Sequence, residues 1–301
     1  MKKVLVTGGN GFIGQFVVPK LINKGYEVIT LSRNKCTANN QNYVNLECNI
    51  HDINRVERIF KNYKPSFLVH LAWITEPGKF WESKGNLSYV ISSLALYRAF
   101  AESGGQRVIS AGTCAEYMET ESACSEKETS LSPNTFYGIA KLSLYQLQSA
   151  YFERMAVSSA WGRIFYCYGI NENEKRLVPS IIQNCLQGKC IKIKSKNKLI
   201  DILYIKDIAD AFVHLLESDY QGSINIASGY SISVGDLAIK IARKLNAVNC
   251  IEFKTENTGC TEFNNLAETN ILNKTVNWIP EYTLEQGLDE NIDWWKAKLN
   301  Y

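Results

Sequence analysis

The chain has 301 residues, enough for one large α/β domain or two closely joined ones. With 46% apolar and 21% charged residues its composition is that of an ordinary globular protein, and a net charge of +3 is too small to argue for a nucleic-acid partner. No apolar run is long enough for a membrane span, the strand-like opening argues against a secretory leader, and nine scattered cysteines without a Cys-x-x-Cys pair argue against zinc, so a cytoplasmic protein with reduced thiols, no metal and no membrane partner is expected.

Val4–Val6 reads as a buried strand, and a helix starts near Gly11. Tyr26–Leu31 and Tyr43–Leu46 are the second and third predicted strands. A helix from about Asp52 to Tyr63 leads into a fourth strand at Ser66–Ala72. A long helical segment covers about Leu87–Ser103, and Arg107–Ala111 is the fifth strand. The helix holding Tyr137 runs to about Arg154, and Val157–Phe165 is the sixth strand. Repeated β-then-α segments predict a parallel sheet covered by helices on both faces.

The pattern changes after Phe165. Asn171–Arg176 is a polar loop, followed by a short helix at about Leu177–Gln187, a strand at Cys190–Ile193 and a basic link at Ser195–Lys198. Leu199–Ile205, a helix over Asp207–Glu217 and Ile224–Ala227 again resemble the first domain. The tail has one clear helix, Val234–Leu245, then less regular sequence ending in Trp294-Trp295. The expected architecture is a doubly wound parallel α/β sheet from 1–165 plus about 199–228. A smaller substrate lobe is expected from about 166–198 plus 229–301.

Thr7-Gly8-Gly9-Asn10-Gly11-Phe12-Ile13-Gly14 places Gly8, Gly11 and Gly14 between the first strand and its helix, the context of a Rossmann-type dinucleotide site. Gly8 allows the tight turn, Gly11 lets the backbone approach a pyrophosphate, and Gly14 lets helix and strand pack closely. Free N–H groups and the helix dipole then favour the anion. The bland alternative is a glycine-rich turn with no ligand. At the end of the second strand, where an acidic residue would bind a ribose 2′-hydroxyl, stand Ser32, Arg33 and Asn34. Serine and arginine accept a 2′-phosphate, so NADP(H) is predicted over NAD(H). The alternative is that Arg33 is only a solvated strand-end charge.

Tyr137 and Lys141 are four residues apart, so a helix stacks them on one face. A free phenol titrates near pH 10, and bringing it to around 7 takes roughly 4 kcal/mol of differential stabilisation. An adjacent ammonium supplies part of that, and Lys141 also suits a cofactor ribose. Tyr-x-x-x-Lys occurs often by chance. Thr113, closing the fifth strand at the edge where open α/β sheets bind ligands, strengthens it by offering a hydroxyl to a substrate carbonyl.

These residues resemble the extended short-chain dehydrogenase/reductase family, also called the NAD-dependent epimerase/dehydratase family, whose members typically modify nucleotide-activated sugars. The resemblance runs nearly the whole length. Beyond the glycine loop, Asn49-Ile50-His51-Asp52 is similar to the adenine-contacting motif, and His70-Leu71-Ala72 to the strand end beneath the cofactor. Thr113, Tyr137 and Lys141 fall on the catalytic triad, with Pro133 ahead of the tyrosine. Arg163-Ile164-Phe165, Tyr168-Gly169, Tyr204–Ala209, and Trp278 with Pro280 match later motifs. Leu177-Val178-Pro179 resembles the segment that contacts the nucleotide-sugar.

Departures narrow the reading. Where family dehydratases carry Asp-Glu after the threonine, this chain has Cys114-Ala115. Tyr166 replaces a frequent asparagine, and Ile200 replaces an arginine that reaches the pyrophosphate, leaving Lys196, Lys198 or Arg176 as substitutes. Cys114 and Glu116 are both candidates for a second acid or base in epimerisation; the alternative for Cys114 is a small packing residue, and Glu116 is expected to touch substrate hydroxyls. Trp73 and Trp81 either line the sugar pocket or pack a loop, and His70 is expected to be structural. The resemblance implies a homodimer through the two long helices after the fourth and fifth strands. The expected activity is NADPH-dependent reduction of a nucleotide-linked 4-keto-6-deoxyhexose, with Tyr137 giving the proton. The alternatives are a 4-epimerase with tightly bound NAD(P) and a non-catalytic NADP-sensing protein.

Overall fold

The computed structural model describes residues 2–33, 42–254 and 266–301. Asn34, Cys36 and Cys260 lie outside the described residues. Seven strands form the main sheet. They are β1 (Lys3–Thr7), β2 (Glu27–Ser32), β3 (Tyr43–Glu47), β4 (Phe67–His70), β5 (Arg107–Thr113) and β6 (Ser158–Ile164), with a seventh, Gly222–Ile226, at one edge. Their order is β3-β2-β1-β4-β5-β6 and then the edge strand, with every pairing parallel. Val4, Leu5 and Val6 are fully buried, as are most residues of β5, because helices cover both faces and leave no polar side to alternate toward.

On one face pack α1 (Gly14–Asn23) and the helix Ile205–Glu217; on the other pack α2 (Ile53–Tyr63), α3 (Gly85–Glu102) and α4 (Phe136–Arg154). The strand order reverses between β1 and β4, which opens a crevice at their carboxyl ends. Arg107, buried at the start of β5, donates to the carbonyls of Leu215, Leu216 and Tyr220 and so closes the last turn of the helix beneath it.

The chain crosses out of this sheet in one residue. After Ile164 and Phe165 it enters β7 (Tyr166–Tyr168), then α5 (Leu177–Leu186) and β8 (Ile191–Ile193). β9 (Leu199–Tyr204) corrects one expectation: instead of joining the main sheet, it pairs with β7 and, antiparallel, with a strand at Ser231–Ser233. The chain returns through α6 (Ile205–Glu217) and β10 (Gly222–Ile226), which do belong to the main sheet and its cover.

β11 (Ser231–Ser233), α7 (Val234–Lys244) and β12 (Ile251–Phe253), which pairs with β8, complete the lobe with α8 (Asn270–Lys274) and α9 (Leu284–Leu299). The tail is thus a regular helix where irregular sequence was expected. Thr283 and Gln286 form its capping box, and Leu288, Ile292 and Trp295 are buried on one face. Carboxylates clasp the lobe to the sheet. Asp207 accepts from the amides of Glu281 and Tyr282, and Asp210 accepts from Lys20 and the indole N–H of Trp278. Among the described residues no helix is long and apolar enough to cross a membrane.

Candidate active site

The β1–α1 turn closes on itself. Gly8 has φ +70°, and a Cβ there would lie 3.0 Å from the Ala72 amide nitrogen. The Gly11 amide donates to the Gly8 carbonyl at 2.9 Å, and any Cβ on Gly14 would collide with that same carbonyl oxygen. No side chain caps α1, whose cap position is Ile13. The result is a bare backbone cradle at a helix start, which fits a dinucleotide pyrophosphate. Asn10 is exposed, while the side chains of Phe12 and Ile13 pack against the lobe core and leave their backbone facing the turn.

Beneath the cradle runs a directed hydrogen-bond chain. Thr7 Oγ1 accepts from the amides of Leu71 and Ala72, so its own proton goes to His70 Nδ1 at 2.6 Å. His70 Nε2–H therefore donates to Ser93, whose hydroxyl donates to the Tyr89 carbonyl. Burial, and then the charge of Lys141, hold this imidazole at a pKa of about 3, in keeping with a neutral structural histidine. At the other end of the crevice Ser32 is half-buried beside Asn45, and Arg33 is exposed at the tip of β2. Asn49 forms the turn into α2 by accepting from His51 and Asp52, and the Ile50 side chain is buried.

Thr113, Tyr137 and Lys141 converge at the carboxyl end of β5. Thr135 caps α4 by accepting from the Gly138 amide, and a Cβ on Gly138 would collide with the Ala115 carbonyl. This close seat of the first turn of α4 on the segment after β5 brings the Tyr137 phenol beside the Thr113 hydroxyl. One turn on, Lys141 Nζ donates to the Ala111 carbonyl at 2.8 Å and stands 3.8 Å from the centroid of the Trp73 ring. Phe80 and Trp81 present edge contacts to the Tyr137 ring at 4.9 and 5.6 Å.

The ionisation differs from expectation. Burial pushes the Tyr137 phenol above its ordinary value, with Thr113 pulling it back, rather than toward neutrality. Burial pulls Lys141 down to about 7, and Glu116 opposes that.

A doubly wound sheet, a glycine cradle and a Thr-Tyr-Lys cluster over its crevice meet in one chain, and the NAD dependent epimerase/dehydratase family matches it over residues 4–227. The chain belongs to this family. It is an oxidoreductase-type enzyme of the extended short-chain dehydrogenase/reductase kind. It is similar to the UDP-glucose 4-epimerase of Rhizobium leguminosarum bv. trifolii, at 24% identity covering 99% of this chain and 98% of that protein. It is equally similar to the dTDP-D-glucose 4,6-dehydratase of Mus musculus, at 24% identity covering 99% of this chain and 90% of that one. A solved UDP-N-acetylglucosamine 4-epimerase from Methanobrevibacter ruminantium M1, in complex with UDP-N-acetylmuramic acid, superposes with a TM-score of 0.87 at 26% identity, covering 99% of each chain. Two of the three are named as 4-epimerases and one as a 4,6-dehydratase, while each name contains a nucleotide-linked sugar.

On the substrate side two expectations of this family member need correction. Glu116 does not face the cleft: it is 0% exposed, with both oxygens held from behind by the Thr113 amide, Trp161 Nε1 and Arg163. The Val178 side chain is buried in the lobe core, leaving only its backbone at the start of α5. Tyr166 and Leu177 are exposed at 37% and 36%. Cys114 is half-buried, and burial pushes its thiol up to about 12, which leaves it protonated. Trp73 is buried, with its indole N–H on Asn86, while Trp81 is largely exposed.

Sequence reasoning missed Phe80, Trp161 and Glu172. Burial pushes the Glu172 carboxyl up to about 8, opposed by Arg176, and its Oε2 has no hydrogen-bond partner among the described residues. Arg176 reaches across the cleft mouth to the Thr75 carbonyl at 3.3 Å and over the Phe80 ring. A single arginine inside the apolar run of β6 was the available signal for a buried ion pair.

Proposed function

We propose that this enzyme reduces the ketone of a nucleotide-linked 4-keto-6-deoxyhexose, using NADPH. When bound, the dinucleotide supplies hydride at its nicotinamide C4. Gly8, Asn10, Gly11, Phe12, Ile13 and Gly14 would hold its pyrophosphate through their backbone, and Asn49 and Ile50 its adenine. Ser32 and Arg33 would take the 2′-phosphate. Leu71 and Ala72 would lie beneath the dinucleotide, and Lys141 would hold the ribose.

The observation that carries the reading is the Thr113–Tyr137 pair without a charged partner at the next two positions. Tyr137 enters as a protonated phenol, the state that gives a proton to a forming alkoxide. Thr113 orients the ketone oxygen. Cys114 and Ala115 offer neither the carboxylic acid nor the carboxylate that loss of water requires. Ile200 is buried in the lobe core, so Arg176 and Lys198 are the cations for the substrate diphosphate; both act electrostatically on the catalytic end, on Tyr137 and Cys114 respectively. The segments about 166–198 and 229–301 would form the substrate lobe. The exposed Leu87 and Ile91 of α3 and Leu147 of α4 support a homodimer through those helices.

The test is NADPH and NADH consumption against a panel of nucleotide-linked keto sugars. Oxidation of NADPH in preference to NADH by a 4-keto-6-deoxy substrate supports the reading, and a preference for NADH removes the role of Arg33. Similarity to the UDP-N-acetylglucosamine 4-epimerase of Methanobrevibacter ruminantium M1 favours a second reading, 4-epimerisation. Cofactor surviving purification, with sugar inversion and no net oxidation, would select it.

A further inference from the structure

Behind β5 lies a buried ion pair that the proposed chemistry does not use. Glu116 and Arg163 are both 0% exposed and meet at 2.8 Å. Glu116 Oε1 accepts from the Thr113 amide and from Trp161 Nε1, each at 2.9 Å, while Oε2 faces Arg163 Nε. Arg163 is held in turn by the hydroxyls of Tyr117 and Ser223. The pair fits only because residue 112 is glycine: a Cβ there would collide with Trp161 Nε1 and lie 2.7 Å from Glu116 Oε1.

Lys141 stands over the ring of the same indole, with Nζ 5.8 Å from the Trp161 ring centroid. The groups facing it come from four elements and the segment after β5. They are the neutral His70 at the end of β4 with Trp73 just beyond, the Ala111 carbonyl of β5, Trp161 of β6, Tyr137 of its own helix, and Glu116. Glu116 is the acidic group acting on Lys141 among the described residues. A buried ammonium without an opposing charge gives up its proton, since burial disfavours the charged form.

We infer that Glu116 is a positioning residue: from behind the strand it seats Thr113 through the backbone amide, and its carboxylate, on the N–H edge of the indole that Lys141 overlies, favours the ammonium form of that side chain. The inference rests on the proposed roles of Thr113 and Lys141 and adds the residue that sets both.

The test reads Lys141 directly in the cofactor-free protein. With lysine labelled by 13C at Cε, the Lys141 resonance is identified by its loss in Lys141→Met, and its titration midpoint is followed. Glu116→Gln is expected to lower that midpoint by about one pH unit or more. Glu116→Asp, which keeps the charge, should leave it close to wild type. An unmoved midpoint in Glu116→Gln overturns the inference. If the unpaired Arg163 prevents that variant from folding, the midpoint in Glu116→Gln/Arg163→Gln is read against that in Arg163→Gln, which isolates the Glu116 charge, and equal midpoints in the two overturn the inference. A shifted midpoint in a protein inactive on every keto sugar would retain this inference and sink the proposed reaction; turnover with an unmoved midpoint would do the reverse.

Discussion

On the large-sheet wall of the cleft, functional groups are fixed by a second buried group. Thr7 is held through His70 to Ser93, and Thr113 through Glu116 to Arg163. On the lobe wall, Arg176 has one long hydrogen bond across the cleft and a ring beneath it, and Tyr166 and Leu177 stand exposed. The difference separates two tasks. Proton and hydride transfer need geometry held to a fraction of an ångström, which buried hydrogen bonds supply. Choosing a substrate needs side chains that can be exchanged without disturbing that frame. Relatives named for epimerisation and for dehydration on one fold fit this division.

The contrast predicts where substitutions hurt. Tyr137→Phe removes the proposed proton donor from the rigid wall and should lower kcat about 10³-fold while binding of the proposed NADPH, read by fluorescence titration, changes little; unaltered turnover would break the scheme. Gly112→Ala forces a methyl group between Trp161 and Glu116 and should cost up to about 3 kcal/mol in urea unfolding. Gly188→Ala in the lobe meets no neighbour within 4 Å and should cost only the strain of its φ of +64°, about 1 kcal/mol.

Lys141 has a folded-state value lowered by burial to about 7 from 10.5. Its contribution to stability is therefore present above 10.5 and lost as pH falls through 7. Lys141→Met should gain stability over wild type at pH 6.5, and the gap should narrow on the order of 2 kcal/mol by pH 9.5. A gap independent of pH would contradict the buried cation. The smallest effect is expected on the lobe: Arg176→Ala should raise KM for the nucleotide-sugar about tenfold with kcat nearly constant. A fall in kcat instead would place Arg176 with the rigid wall.

The parallel, helix-covered main sheet and the proximity of Thr113, Tyr137 and Lys141 were legible because each rests on local spacing: β-then-α repeats, glycines at a strand end, and a helical interval of four. The sheet that β9 joins was not, since its apolar run suits either sheet and only long-range pairing with β7 and β11 decides. α9 was hidden by its many charged residues, although its capping box was present in the sequence. Glu116 read as a contact for substrate hydroxyls because its partner Arg163 lies 47 residues away. The protonated state of Tyr137 follows from burial, which no four-residue interval encodes.

The junctions between the two sheets carry a mechanical consequence. Only the buried Phe165 separates β6 from β7, and β9 runs straight into α6 at Tyr204–Ile205. Such junctions have no slack, so the lobe cannot swing on a tether as a lid does; torque on it passes directly into the hydrogen bonds of the main sheet. Access for a bulky sugar would then come from turning individual side chains at the rim, and the stiffness of the scaffold would set how wide the gap can grow.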